Sequence, residues 1–199
     1  RFYGGTDPTA SVGGSLSNMS SSVWDDHLKT IAGVVSSPFI DNRKRWLQSA
    51  LLMLYYGRHG KGIPELVERN SASGYFEFKK NLSLDRNLVL NAELPDEFRI
   101  QSDATGYGID NYRGEKNKLV INKMYELFKI YGGRIWIETY WTQLSTFFKK
   151  ITKTGLETWE PKDRRHYKDD NLFSATFAYI CKKCFDGKKP RKVDENKEK

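Results

Sequence analysis

Three acidic positions stand where carboxylates can do chemistry. Asp7 ends the run Phe2-Tyr3-Gly4-Gly5-Thr6-Asp7, just before Pro8, and Glu68 ends Ile63-Pro64-Glu65-Leu66-Val67-Glu68. The pair Asp169-Asp170 opens an amphipathic stretch that runs to Phe185. Carboxylates at two strand ends and one helix start can converge above a single sheet edge. Such a cluster repels itself, and a hard cation with oxygen ligands, Mg²⁺ or Mn²⁺, is the usual relief. Two such ions about 4 Å apart can activate a water and stabilise the leaving oxygen of a phosphodiester. Each residue also has a plainer reading. Asp7 can start a turn, Glu68 can pair with Arg69 or a lysine, and Asp169 or Asp170 can cap the helix and complement its dipole.

The elements that must position these groups follow from punctuation and periodicity. Phe2 to Asp7 reads as a strand that breaks at Pro8. Ser11 to Ser22, rich in Ser and Gly, reads as a mobile loop or a poorly packed hairpin. Lys29 to Val35 suits a second strand. Asp41 to Tyr56 is a helix capped by Asp41, with Trp46, Leu47, Ala50, Leu51 and Leu54 at helical spacing. Ile63 to Glu68 is a strand, and Ser71 to Leu82 a helix with Ser71 as its cap. Leu88 to Leu90 and Phe98 to Gln101 are further strand candidates, and 102–115 is a glycine-containing loop. Lys116 to Tyr131 is a helix stopped by Gly132-Gly133. Arg134 to Glu138 reads as a short strand, Thr139 to Thr152 as a helix, and Asp169 to Phe185 as the last helix. Trp46, Trp136, Trp141 and Phe147 fall at positions expected to pack in the core. Strands come early and then alternate with helices, which argues for an α/β domain with a mixed central sheet covered by helices.

Composition narrows the class. The 199 residues suffice for one domain with a tail. With 38% hydrophobic and 14% aromatic residues, the chain is neither a disordered nor a collagenous sequence. No apolar stretch is long enough to span a bilayer. The N-terminus lacks an initiator Met and an apolar leader and reads as a cut inside a longer protein. The net charge is +8. The segment from Asp186 to Lys199 holds six basic and four acidic residues and so contributes +2, leaving +6 on the folded part. We expect a domain over 1–185 and a charged, disordered tail over 186–199. The basic excess suits a polyanionic partner. Basic residues near the acidic motifs are Arg58, Lys61, Arg69, Lys79, Lys80, Arg113, Lys116, Lys118, Arg164, Arg165 and Lys168. Cys181 and Cys184 form a lone CxxC without a second ligand pair, so Cys181 reads as a small buried hydrophobe rather than a zinc ligand.

The motifs, taken in order, resemble a known family. Gly5-Thr6-Asp7-Pro8, then Val67-Glu68-Arg69-Asn70 with Gly74, then Asp169-Asp170-Asn171-Leu172 with Ala175, are similar to the nuclease domain of the large terminase subunit of tailed bacteriophages. Tyr107-Gly108-Ile109-Asp110-Asn111 before a helix, and Ile135-Trp136-Ile137-Glu138 before Gln143-Leu144-Phe147, fit the same pattern. The resemblance covers residues 1–185. It implies an RNase H-like fold and a divalent-metal endonuclease, with two Mg²⁺ or Mn²⁺ ions, that cuts concatemeric double-stranded viral DNA during genome packaging. It implies Asp7, Glu68, Asp169 and Asp170 as metal ligands and catalytic residues, with the choice between the last two open, and His166 as a possible assistant. Arg69, Arg113, Lys116, Lys118, Arg164, Arg165 and Lys168 would hold the DNA. The implied partners are an upstream ATPase motor in the same polypeptide, the portal protein and the small terminase subunit, with no membrane, in the host-cell cytoplasm. No GxxxxGK[ST] loop is present, so the motor itself is not in this sequence. Two other functions compete: a Holliday-junction resolvase of the same fold, and a DNA- or portal-docking module that does not cut.

Overall fold

The computed structural model describes residues 1–8, 19–37, 41–58, 60–103, 105–111, 115–151, 153, 155, 157–162 and 169–186, the side chains of 37, 115 and 116 excepted. Four strands form the central sheet: β1 (Phe2–Asp7), β2 (Met19–Asp25), β3 (Thr30–Ser37) and β4 (Glu65–Val67), in the order β3-β2-β1-β4. β1 pairs antiparallel with β2 and parallel with β4, and β2 pairs antiparallel with β3. Helices α1 (Asn42–Tyr55), α2 (Ser73–Asn81), α3 (Glu115–Tyr131), α4 (Glu138–Thr146) and α5 (Asp170–Cys184) surround it. A separate hairpin joins β5 (Phe147–Ile151) to β6 (Glu157–Pro161). This is an α/β fold with a mixed sheet flanked by helices, consistent with the RNase H-like class.

Side chains alternate across a strand, and here the alternation separates two different cores. Tyr3, Trp24 and Leu66 face α5 and α3 in the main apolar cluster. Gly4, Val23 and Val67 face the other way, toward α1 and α2. α5 is almost wholly buried and lies on β1. Its backbone comes so close that a Cβ at Gly5 would collide with Ala178 N and Ser174 O. The opposite face holds a buried polar layer. Glu65 Oε2 pairs with Lys79 Nζ at 2.6 Å, both side chains being 1% exposed or less. Glu65 Oε1 accepts from Thr6 Oγ1 at 2.6 Å and Tyr75 OH at 2.8 Å, and Ser49 joins Tyr75 to Ser21. A buried ion pair is tolerable when its remaining lone pairs are satisfied in this way.

Several expectations are corrected. Met19 to Ser22 belong to β2 and are buried, Met19 in an apolar cluster and Ser20, Ser21 and Ser22 with their hydroxyls partnered inside. Ser71 does not cap α2; the cap position is Ala72, with no side-chain bond. Phe98 ends a 3-10 turn, and residues 88–90 make only bridges to Glu65 and Tyr107. Residues 132–134 form a 3-10 turn leading into α4, so there is no strand at 134–138. The expected helix to Thr152 stops at Thr146, and Phe147–Ile151 is a strand. Trp136 is 88% exposed and Trp141 is 40% exposed, whereas Phe147 is buried. Leu47 and Leu51 face solvent, and Lys79 is in the interior. The Asp41 cap is seen: its carboxylate accepts from Arg43 N at 2.8 Å. The tail beyond 186, the segment 163–168 and most of the Ser/Gly stretch lie outside the described residues.

Two substitutions test this architecture by urea unfolding. Gly5→Ala should lower stability by about 3 kcal/mol or more, because the clash is with backbone. A loss below about 1 kcal/mol would mean that α5 does not lie so close to β1. Lys79→Met should cost about 3–5 kcal/mol by leaving Glu65 buried without its counter-charge. An unchanged midpoint would contradict the buried pair.

Candidate active site

The alternation that buries Tyr3 and Gly5 against α5 carries Asp7 onto the same face, at the end of β1. Its register neighbour on β2 is Ser20. On β4 Leu66 pairs with Gly5, so Glu68, two residues on, shares that face. Glu68 N donates to Thr6 O at 3.0 Å, fixing its backbone beside Asp7. α5 runs back along β1, and its N-terminal turn arrives beside Asp7. The structure thus brings Asp7, Glu68, Asp169 and Asp170 into one electrostatic neighbourhood.

The carboxylates there act on one another. Asp7 keeps partial exposure but is densely surrounded by protein. Burial, then the charges of Glu68, Asp170 and Asp169, push its carboxyl well above the usual range. Asp7 and Glu68 lie close enough to interact through their carboxyl groups, which adds to the rise of Asp7. Burial also raises Glu68, against hydrogen bonds from Asn70 and Asp7, and the charge of Asp110 adds to the rise.

Asp110 is a carboxylate that sequence reasoning left among the loop residues. Ile109 bridges to Glu68 in parallel, and Asn70 Nδ2 donates to Glu68 Oε1 at 3.3 Å and to Asp110 Oδ1 at 3.0 Å. The signal available in sequence was the pattern Gly108-Ile109-Asp110, an apolar residue followed by an acid after a turn glycine.

The plainer readings can be set against the geometry. Arg69 does not pair with Glu68; it pairs with Asp103. Asp169 occupies the cap position of α5 but makes no side-chain capping bond. Asn171 N and Leu172 N donate instead to Gln143 Oε1 on α4, at 3.1 and 3.2 Å. Of the basic candidates, Lys118 is exposed on α3 and lies within electrostatic reach of Glu157 on the hairpin. Arg113, Arg164, Arg165, His166, Lys168 and the Lys116 side chain lie outside the described residues. Cys181 and Cys184 are buried free thiols, and burial pushes Cys181 well up, as suits a packing residue.

The donor set has the chemistry of a hard divalent cation site: oxygen ligands, dense surroundings and several carboxylates acting on one another. Among the described residues, no three His, Cys, Asp or Glu side chains are already set as a ligand group. The fit is therefore one of donor chemistry and charge.

No protein-family model matches the chain, and no curated protein matches it. Solved structures do. The large terminase nuclease domain of Thermus phage P74-26 superposes with a TM-score of 0.61 at 13% identity, covering 89% of this chain and 77% of the other. The large terminase nuclease of thermophilic phage G20c gives 0.58 at 13% identity, with 89% and 80% covered. The G20c nuclease with bound magnesium gives 0.60 at 14% identity, with 89% and 79% covered. At this identity the likeness establishes a shared fold.

The raised Asp7 carboxyl makes a prediction for the metal-free protein. Asp7→Asn should raise stability to urea in EDTA at pH 7, since burial and the neighbouring carboxylates push the Asp7 carboxyl up and its ionised form therefore costs the folded state. A carboxyl whose folded pKa is raised loses stability as pH rises, so the gap should open above about pH 4 and vanish below it. Equal stability of the two proteins at pH 7 would contradict the repulsion.

Proposed function

We propose that this chain is a divalent-cation-dependent endonuclease of the large-terminase type, cutting concatemeric double-stranded viral DNA during genome packaging. The observation that carries the reading is the gathering of Asp7, Glu68, Asp169 and Asp170 at one sheet edge. The fold shared with phage terminase nucleases, one of them with bound magnesium, supports it.

In this reading Asp7, Glu68 and Asp169 or Asp170 would hold two cations, either Mg²⁺ or Mn²⁺. The cations supply water activation and stabilisation of the leaving oxygen. The chain's own part is placement. β1 and β4 present two carboxylates from adjacent parallel strands, and Asn70 holds Glu68 and Asp110 in fixed orientation. The N-terminus of α5 adds a partial positive charge beside the acids. Lys118, and the hairpin lysines Lys149 and Lys150, offer cationic groups to phosphates, although Glu157 and Glu160 pair with the hairpin lysines here. Arg69, Arg113, Lys116, Arg164, Arg165 and Lys168 remain proposed DNA contacts, and His166 a proposed assistant. An upstream ATPase motor, the portal protein and the small terminase subunit are the proposed partners, and the host-cell cytoplasm the proposed location. Among the described residues no helix is long and apolar enough to cross a membrane.

Plasmid cleavage at low salt tests the reading, with Mn²⁺, Mg²⁺ or EDTA and an Asp7→Ala variant alongside. Nicking and linearisation should require metal and fall by more than about a hundredfold in the variant. Undiminished cleavage by Asp7→Ala would overturn the site. Salt-sensitive DNA binding without cleavage in any metal would favour a docking module instead.

A further inference from the structure

We propose that Gln143 is a positioning residue for the site: it caps α5 from the neighbouring helix, so that Asp169 and Asp170 serve the carboxylate cluster instead of the helix end. This rests on the nuclease reading above. The first N–H groups of a helix need acceptors. A residue in the position of Asp169 ordinarily supplies one from its own side chain to the second or third helical residue. Asp169 makes no such bond. Gln143 Oε1 takes both of those donors, Asn171 N at 3.1 Å and Leu172 N at 3.2 Å. Gln143 is itself buried, on a different helix.

The choice of an amide has a physical consequence. A glutamine oxygen accepts both bonds without adding another negative charge to a cluster that already raises Asp7. The rest of the first turn of α5 is held just as closely. Tyr140, one turn before Gln143 on the same face of α4, is hydrogen-bonded through its OH to Ser22 at 2.7 Å, and Ser22 to Ser174 at 2.6 Å. Ser20, the register neighbour of Asp7, donates to Asn171 Oδ1 at 2.5 Å. α4 and β2 together therefore tie the residues that follow Asp170 to the strand beside Asp7.

The test compares the parent with Gln143→Ala, Gln143→Glu and, as a destabilising control remote from the site, Ile135→Ala. Two measurements are made: amide exchange of Asn171 and Leu172 in EDTA, and the Mn²⁺ concentration giving half of the metal-induced Tm shift. Cleavage kinetics are read beside them. In Gln143→Ala the two amides should exchange at least about tenfold faster, the loss expected for a helix cap. The Mn²⁺ midpoint should rise by about tenfold, the loss typical of a residue that orients ligands, with kcat lowered and KM for DNA little changed. Gln143→Glu should restore amide protection, since a carboxylate accepts the same bonds. Ile135→Ala should lower Tm without moving the Mn²⁺ midpoint. Unaltered exchange in Gln143→Ala, or a midpoint no different from that of Ile135→Ala, would overturn the proposal. A parent that neither cuts DNA nor responds to Mn²⁺ would overturn the nuclease reading and the role of the cap in it. The EDTA exchange, measured separately, would still show whether Gln143 caps α5.

Discussion

The close approach of α5 to β1 at Gly5 is the constraint on which the rest of the structure depends. A helix backbone can lie directly on a strand only where the strand offers no Cβ, and Ser174 O and Ala178 N occupy that space. The strand alternation then puts Asp7, two residues beyond Gly5, on the helix side, and one turn back along α5 comes Asp170. The parallel pairing of β1 with β4 adds Glu68 on the same face. The carboxylates do not attract one another. Packing of the strand and helix that carry them, with α5 buried along almost its whole length, holds them near each other.

The two faces of the sheet treat negative charge differently, and the contrast gives the site its meaning. Beneath the sheet, Glu65 is fully buried, yet Lys79, Thr6 and Tyr75 satisfy it. At the end of the other face, Asp7 meets Glu68, Asp170 and Asp169, and its carboxyl is driven toward the protonated form. Where this fold needs a buried acid for structure, it provides a buried base as well. At that end three further carboxylates act on Asp7, an arrangement that suits a bound divalent ion.

The parts of this arrangement that were legible in sequence are those encoded locally. The Asp41 cap, the apolar spacing of α3 and α5, and the strand that breaks at Pro8 all appear in the structure with small shifts of boundary. The acids at the ends of those elements were legible for the same reason. What was illegible depends on partners distant in sequence. Ser20, Ser21 and Ser22 look like loop residues until Asn171, Ser174, Ser49 and Tyr140 satisfy their hydroxyls. Phe147 to Ile151 continues a helix-compatible pattern, and its strand conformation depends on pairing with Glu157 to Pro161. Trp136 has the composition of a core residue but lies on the surface. Gln143 reaches the first turn of α5 from another helix, a bond that leaves no local mark, and Asp110, whose local pattern is faint, comes beside Glu68 through the bridge at Ile109.

The most direct test of the central claim is to locate the cation itself, by anomalous diffraction from crystals soaked in Mn²⁺. The account predicts a peak within about 2.2 Å of carboxylate oxygens of both Asp7 and Glu68, and a second near Asp7 and the first turn of α5. Strong Mn²⁺ peaks elsewhere on the protein, with none between Asp7 and Glu68, would contradict it.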